Sequence, residues 1–149
     1  MKRIFILGIM VGLAAVVACQ TGLNDKTHLD QIAEDSIYIA YRTAMFINAA
    51  HTTQGLYDLD AIGEVIKSSD HASICDYPDP SFADIRGGLL YRDTNCFMHR
   101  AAIKLNEKYP SYWTLSEADK AYIERRYDTL IGADQQEELM EHFKNRFDD

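Results

Sequence analysis

The sequence predicts an all-α fold: a single compact bundle of four to five helices held together by one disulfide. Apolar residues recur at intervals of three and four along most of the chain, which is the period of a helix that buries one face. The alternation of apolar and polar residues that marks a strand is nearly absent. Capping residues, glycines and prolines divide the periodic stretch into segments of helical length.

Length and composition support one globular unit. The chain has 149 residues, of which 47% are hydrophobic and 26% are charged. These fractions are ordinary for a globular protein, and they exclude global disorder and a polytopic membrane protein. A chain of this length buries most of its apolar surface in a single core, so a second domain is not expected.

The first 18 residues are typical of a secretion signal. Lys2 and Arg3 form a positive start, and residues 4–17 form an apolar run that is too short to span a hydrocarbon core comfortably. The run leads into Val16-Val17-Ala18-Cys19, which resembles the lipobox of bacterial lipoproteins. The resemblance implies that the Cys19 thiol is acylated and that Cys19 becomes the first residue of the mature protein.

This assignment divides the chain into a signal peptide (residues 1–18), a lipidated tether (19–26) and a helical domain (27–149). An uncleaved N-terminal anchor is the alternative, and the glycines in the apolar run argue against it. Gln20, directly after the lipidated cysteine, resembles a signal for release toward the outer membrane in enterobacteria-like cells. We therefore expect a lipid-anchored protein on the periplasmic side of the bacterial outer membrane, with several acyl chains making the attachment stable.

Two helices are predicted in the first half of the domain. The first begins near Thr27 and ends between His51 and Gly55, where a glycine suits a left-handed helix end. The second begins at about Asp58. Its buried face is formed by apolar residues at helical spacing: Leu59, Ile62, Val65 and Ile66.

The second half begins with residues 68–80, which are rich in turn residues and form the longest predicted loop. A third helix is expected over residues 82–109, bent or delayed by Gly87 and Gly88 and stopped by Pro110. A fourth helix is expected to begin at the capping pair Thr114 and Glu117 and to reach Ile131. A fifth is expected to begin at the pair Asp134 and Glu137 and to reach about Phe147.

Two cysteines remain once Cys19 is assigned to the lipid, and an even number in an exported protein predicts a disulfide between Cys75 and Cys96. The bridge is expected to be structural, because the chain lacks the Cys-x-x-Cys spacing of redox proteins. The alternative is a zinc site formed by His71, Cys75, Cys96 and His99, whose spacing places each Cys-His pair on one side of a metal.

Other chemistry has weaker support. Met45 and His142 invite comparison with a haem-binding helical bundle, but the chain has no Cys-x-x-Cys-His for covalent haem, and no cofactor is expected. The sequence also lacks the serine hydrolase, zinc protease and phosphate-loop motifs. Glu124 and Asp128 are more readily explained as surface charges than as an acid and a base. We therefore predict that the protein is not an enzyme.

Aromatic residues form the candidate contact surface. Tyr109, Tyr112 and Trp113 lie together at a helix junction. Tyr and Trp are enriched in interface hot spots because they bury a large rigid area and keep a polar tip, so these three are candidate protein-binding residues. The alternative is that they only close the end of the bundle.

The charge of the chain limits its partners. Removing Lys2 and Arg3 from the 15 basic residues leaves 13 against 23 acidic residues, a net charge of −10, which repels nucleic acid. We expect a non-enzymatic factor that binds another envelope protein for assembly, targeting or inhibition. In layout it is similar to small helical outer-membrane lipoproteins such as some secretion pilotins, which implies a groove for a partner helix. A periplasmic metal- or haem-binding protein is the alternative.

Overall fold

Five α-helices follow one another between residues 26 and 130, in a computed structural model that describes residues 26–132, 135–136 and 138–140. The first covers residues 26–34 of the described part (α1). The others are α2 (Ser36–Thr53), α3 (Leu59–Lys67), α4 (Gly88–Lys108) and α5 (Glu117–Leu130). Three 3₁₀ segments, Ile74–Asp76, Asp79–Ser81 and Pro110–Thr114, complete these elements, and the described residues contain no strand. The all-α fold is confirmed.

Several predictions fall outside the described residues. These are the signal peptide, Cys19, the tether up to residue 25, and Asp134, Glu137, His142 and Phe147 of the last predicted helix. Residues 138–140, which belong to that helix, are helical.

The first predicted helix is divided into α1 and α2 at Asp35. The backbone of Asp35 is extended, with a ψ of 132°, and its carboxylate accepts a hydrogen bond of 2.9 Å from the Ile37 N–H. The Asp35 N–H donates to the Ile32 carbonyl at the end of α1, at 3.2 Å. Asp35 therefore ends one helix and caps the next, a role that its short acceptor side chain suits well.

Helices α2 and α4 form an antiparallel pair at the centre of the molecule. Asp35 contacts Lys108 at one end of the pair, and Asn48 contacts Asn95 further along it. Ala40, Ala44 and Ala101 are fully buried, and small residues allow two helix backbones to approach closely. Leu105 at the end of α4 packs into a larger cluster with buried residues of α1, α2 and α5: Ile32, Tyr38, Ile123 and Tyr127.

Helix α4 begins at Gly88, later than Phe82, where the sequence placed the start of the helical region. Gly87 has a left-handed φ of 68°, and a Cβ on it would lie 2.3 Å from the Leu56 carbonyl oxygen. Phe82 is fully buried with Tyr57, Ile62 and Tyr77. The glycines thus delay the helix, as the sequence allowed, so that residues 82–87 can pack against the start of α3.

The predicted capping of α5 by Thr114 is wrong. The Thr114 hydroxyl donates to the Ser111 carbonyl at 2.9 Å and so belongs to the 3₁₀ segment. Ser116 caps α5 instead, accepting a hydrogen bond of 3.1 Å from the Asp119 N–H. Leu115, whose ψ is 150°, separates the 3₁₀ segment that contains Thr114 from α5.

Candidate functional site

A disulfide joins Cys75, in the first 3₁₀ segment, to Cys96 in the middle of α4, with 4.9 Å between the two Cα atoms. This confirms the predicted bridge. The local sequence fixes the backbone around Cys75. The Ser73 hydroxyl accepts a hydrogen bond from the Cys75 N–H, and the Asp76 carboxylate accepts one from the Ser73 N–H. This capping box forms a tight turn that the disulfide fastens to α4.

A groove with a volume of about 420 Å³ opens beside this turn. One wall is formed by α4, the other by residues 71–74 and Tyr77, and Tyr41 of α2 and Ile66 of α3 complete the lining. The α4 wall consists of side chains at helical spacing: Tyr91, Asn95, Met98, His99 and Ala102. None of the described lining residues is Asp, Glu, Lys or Arg, although these four types make up 26% of the chain.

Tyr77 fixes the irregular wall. Its side chain is 5% exposed, and its hydroxyl donates to the Ile66 carbonyl at the end of α3, at 3.1 Å. The ring packs edge-on against His71, with 4.6 Å between ring centroids. The Tyr77 carbonyl accepts from the Arg92 guanidinium, which also pairs with Asp79 and Asp93. This wall is therefore tied to both α3 and α4.

Asn95 has a similar role on the α4 wall. Its amide group donates to the Tyr91 carbonyl at 2.8 Å and to the Asn48 side-chain oxygen of α2 at 3.2 Å. Both amide hydrogens are thus used within the protein. The Asn95 side chain is consequently held in place by α2 and by the preceding turn of α4.

The three aromatic candidates have different environments. Tyr112 is buried and packs edge-on against Tyr38, with 5.6 Å between centroids. Tyr109 donates a hydrogen bond of 2.9 Å to Asp35, and burial together with that carboxylate raises the pKa of Tyr109 to about 12. Trp113 is 41% exposed and lies edge-on to Tyr41, which lines the groove. Trp113 does not line the groove itself, but it contacts Tyr41, which does, and this exposed position is called here the groove rim.

The disulfide uses two of the four alternative zinc ligands. His71 and His99 both line the groove, whereas Cys75 and Cys96 are bonded to each other and offer no thiolate to a metal. Over the described residues, no group of three or more His, Cys, Asp or Glu is placed to hold a metal ion. Met45 lies partly exposed on α2, and Glu124 is paired with Arg42 at 3.5 Å.

Sequence reasoning did not find most of the groove. The stripe of Tyr91, Asn95, Met98 and Ala102 was visible as a second face of α4, less apolar than the core face. By its spacing in the sequence, Tyr41 belongs to the apolar stripe of the first predicted helix, which indicates a core position. What the sequence did not show is that these two faces meet beside the disulfide turn.

No protein-family model, curated protein or solved structure matches this chain. Among the helices in the described part of the chain, none combines the length and the apolar character that crossing a membrane requires.

Proposed function

We propose that this chain is a lipoprotein of the bacterial envelope, held on the periplasmic side of the outer membrane by acylated Cys19, and that its helical domain binds another envelope protein. It acts as a non-enzymatic assembly, targeting or inhibitory factor. The observation that carries the proposal is a groove whose described lining has no Asp, Glu, Lys or Arg, with Trp113 exposed at its rim, because partly exposed aromatics beside a concave surface are typical of protein-binding sites.

The position of the groove supports a protein partner. The tether from Cys19 to residue 26 reaches at most about 25 Å when fully extended. It enters the domain at α1, which packs near α5 through Asp30 with Tyr122 and Glu34 with Arg126. Along α4 the groove wall extends from Ala102, about 9 Å of helix from Lys108, to Tyr91, about 26 Å from it, and Lys108 is the residue that contacts the α1–α2 junction.

The anchoring step is tested by metabolic labelling with palmitate. The wild-type chain should incorporate label and lose residues 1–18. Cys19→Ser should incorporate none and retain the signal, because serine has no thiol to alkylate. A matched control, Cys75→Ser with Cys96→Ser, should remain fully labelled. Equal labelling of the Cys19→Ser chain would contradict the anchor.

The binding step is tested by affinity capture from the envelope with the lipidated chain. We expect one envelope protein to be retained by the wild type and by Asn106→Ala, an exposed α4 position outside the groove lining. Trp113→Ala should retain it at least about tenfold less well, as for a hot-spot residue. Equal retention by all three chains would show that Trp113 does not contribute to binding of the partner.

A metal-binding function is the second candidate, favoured by the presence of His71 and His99 in one groove. It requires reduced cysteines. Thiol alkylation followed by intact-mass measurement separates the two candidates: unreactive thiols and no zinc support the bridged, protein-binding form. Reactive thiols together with one zinc per chain would support the metal site.

A further inference from the structure

We infer that the Cys75–Cys96 bridge is a redox switch: a dithiol reduces it in the folded protein, and the reduction releases residues 69–76, which contribute one wall of the groove. These residues are called here the turn segment. The switch requires no particular partner in the groove, so it goes beyond the proposed function.

The bridge is accessible from solvent. Both cysteines are only partly buried, and both line a second cavity with a volume of about 410 Å³. The described linings of this cavity and of the groove share Tyr77 and no other residue. A reductant can therefore approach the two sulfur atoms without entering the groove. Exposed disulfides are the ones that thiols reduce in folded proteins, whereas buried ones are protected.

Hydrogen bonds do not tie the turn segment to the helices. Within the described residues, its hydrogen bonds run inside the segment, from the His71 N–H to the Ser69 hydroxyl and through the capping box of Ser73 and Asp76. The one polar contact that leaves the segment is at the bridge itself, where Cys75 Sγ lies 3.6 Å from the Cys96 carbonyl oxygen. The bridge is thus the main tie between the turn segment and α4.

Tyr77, directly after the turn segment, is held differently. Its hydroxyl donates to the Ile66 carbonyl, its own carbonyl accepts from Arg92, and its ring is buried beside Phe82. None of these contacts involves a cysteine. Reduction should therefore release residues 69–76 and leave Tyr77 in place, which opens one wall of the groove without unfolding the bundle.

The reaction is thiol–disulfide exchange with a dithiol as the reductant. One thiolate of the dithiol attacks the sulfur of one cysteine and forms a mixed disulfide. The Cys75–Cys96 bond breaks, and its electron pair leaves with the other cysteine as a thiolate. The second thiolate of the dithiol then attacks the mixed disulfide, closes the disulfide of the reductant and releases the first cysteine. Two electrons pass to the bridge, and the two protons that the dithiol gives up end on the cysteine thiols.

The first experiment measures whether the bridge is reduced in the folded protein. The lipidated full chain is treated with dithiothreitol at urea concentrations below the unfolding transition, and thiols are trapped with a maleimide and counted by intact mass. We expect two additional labels, at a rate that changes less than about twofold over these concentrations, because global unfolding is not needed. A rate that rises in parallel with the unfolded population would overturn the inference.

The second experiment locates the structural change. Hydrogen exchange followed by mass spectrometry compares the oxidised chain with the chain kept in dithiothreitol and a zinc chelator. Exchange in residues 69–76 should become at least about fivefold faster on reduction, whereas exchange in α1 and α5 should change less than about twofold. Unchanged exchange in residues 69–76, or an equal increase in α1 and α5, would overturn the inference.

The variant Cys75→Ser with Cys96→Ser is the matched control. It should show the exchange pattern of the reduced chain both with and without dithiothreitol, because it has no bridge to break. If dithiothreitol changes the exchange of this variant as much as that of the wild type, the effect does not come from the bridge and the inference falls. The reduced wild type gives the same comparison without any substitution.

Discussion

The two ends of the bundle are stabilised in different ways. At the end where α1, α5 and the last turns of α4 meet, fully buried Tyr38, Leu105 and Ile123 pack between regular helices. This end is called here the tether end, after the tether that we propose. At the disulfide end, formed by α3, residues 68–87 and the first half of α4, one nine-residue helix and two 3₁₀ segments cover the core.

This difference shows which interactions hold a segment without regular secondary structure in place. Helices satisfy their own backbone and bury a continuous face, so the tether end is held by packing and a few polar contacts. Residues 68–87 have little regular structure and are held by a covalent bond and by side-chain contacts to carbonyls, such as those of Tyr77 and Arg92. The groove lies where this segment meets α4.

The largest effect is expected from removal of the disulfide. Cys75→Ser with Cys96→Ser should lower the free energy of unfolding by about 3 kcal/mol, because a closed loop of this length restricts the unfolded chain. Urea denaturation followed by far-ultraviolet circular dichroism measures the change. The reduced wild type should lose a similar amount. An unchanged midpoint in both would mean that packing alone holds the disulfide end.

The two left-handed glycines, Gly55 before α3 and Gly87 before α4, provide a matched pair. Gly55 and Gly87 have nearly equal φ values of 67° and 68°, but a Cβ on Gly55 would meet nothing within 4 Å, whereas one on Gly87 would clash with the Leu56 carbonyl. Gly55→Ala should cost about 1 kcal/mol of backbone strain and Gly87→Ala at least about 2 kcal/mol. Equal losses in thermal or urea denaturation would contradict the close approach.

At the tether end, Asp35 combines a cap with two side-chain contacts. Its side chain is only 9% exposed, and it contacts Lys108 and Tyr109 as well as the Ile37 N–H. Asp35→Ala should cost about 1–2 kcal/mol and Asp35→Asn less, because asparagine caps a helix as well as aspartate does. Denaturation of the two variants in parallel separates the cap from the charge, and equal losses would assign the whole effect to the charge.

The Asp35 contribution should also depend on pH. Burial alone would raise the pKa of Asp35, but the Lys108 ammonium, the Ile37 N–H and the Tyr109 hydroxyl together lower it below its usual 3.8. The stabilisation is therefore present above pH 3.8 and is lost as the pH falls through the lower value in the folded protein. The stability difference between wild type and Asp35→Asn should narrow in acid, and a constant difference would contradict the lowered pKa.

The smallest effect is expected at Tyr38. Its hydroxyl is buried, and no hydrogen bond is formed by it within the described part of the chain. Burial also raises its pKa. Tyr38→Phe should change stability by less than about 0.5 kcal/mol, whereas Tyr127→Phe should cost about 1 kcal/mol because it removes the 2.9 Å hydrogen bond to Thr43. Equal losses in denaturation would mean that Tyr38 has a polar partner.

The sequence predicted features whose causes are local. Asp58 begins α3, Pro110 follows the end of α4, and Gly55 takes the left-handed conformation, all as expected from neighbouring residues. The disulfide was predictable because assigning Cys19 to the lipid left a single pairing for the other two cysteines. The same reasoning gave the all-α fold.

The features that we did not predict from the sequence depend on contacts between residues that lie far apart in the chain. Asp35 divides the first helix while paired with Lys108 and Tyr109, which are 73 and 74 residues away. The start of α4 depends on the approach of Gly87 to Leu56. The groove brings Tyr41 of α2, Ile66 of α3 and Met98 of α4 together, and no spacing within one helix specifies that arrangement.

The position of Trp113 has a practical consequence. It is the one tryptophan in the chain, it is 41% exposed, and its ring touches Tyr41, which lines the groove. Tryptophan emission shifts to shorter wavelength when water is excluded, so the native fluorescence spectrum reports on the groove rim without any label. Occupancy of that rim can therefore be read optically from the unmodified protein.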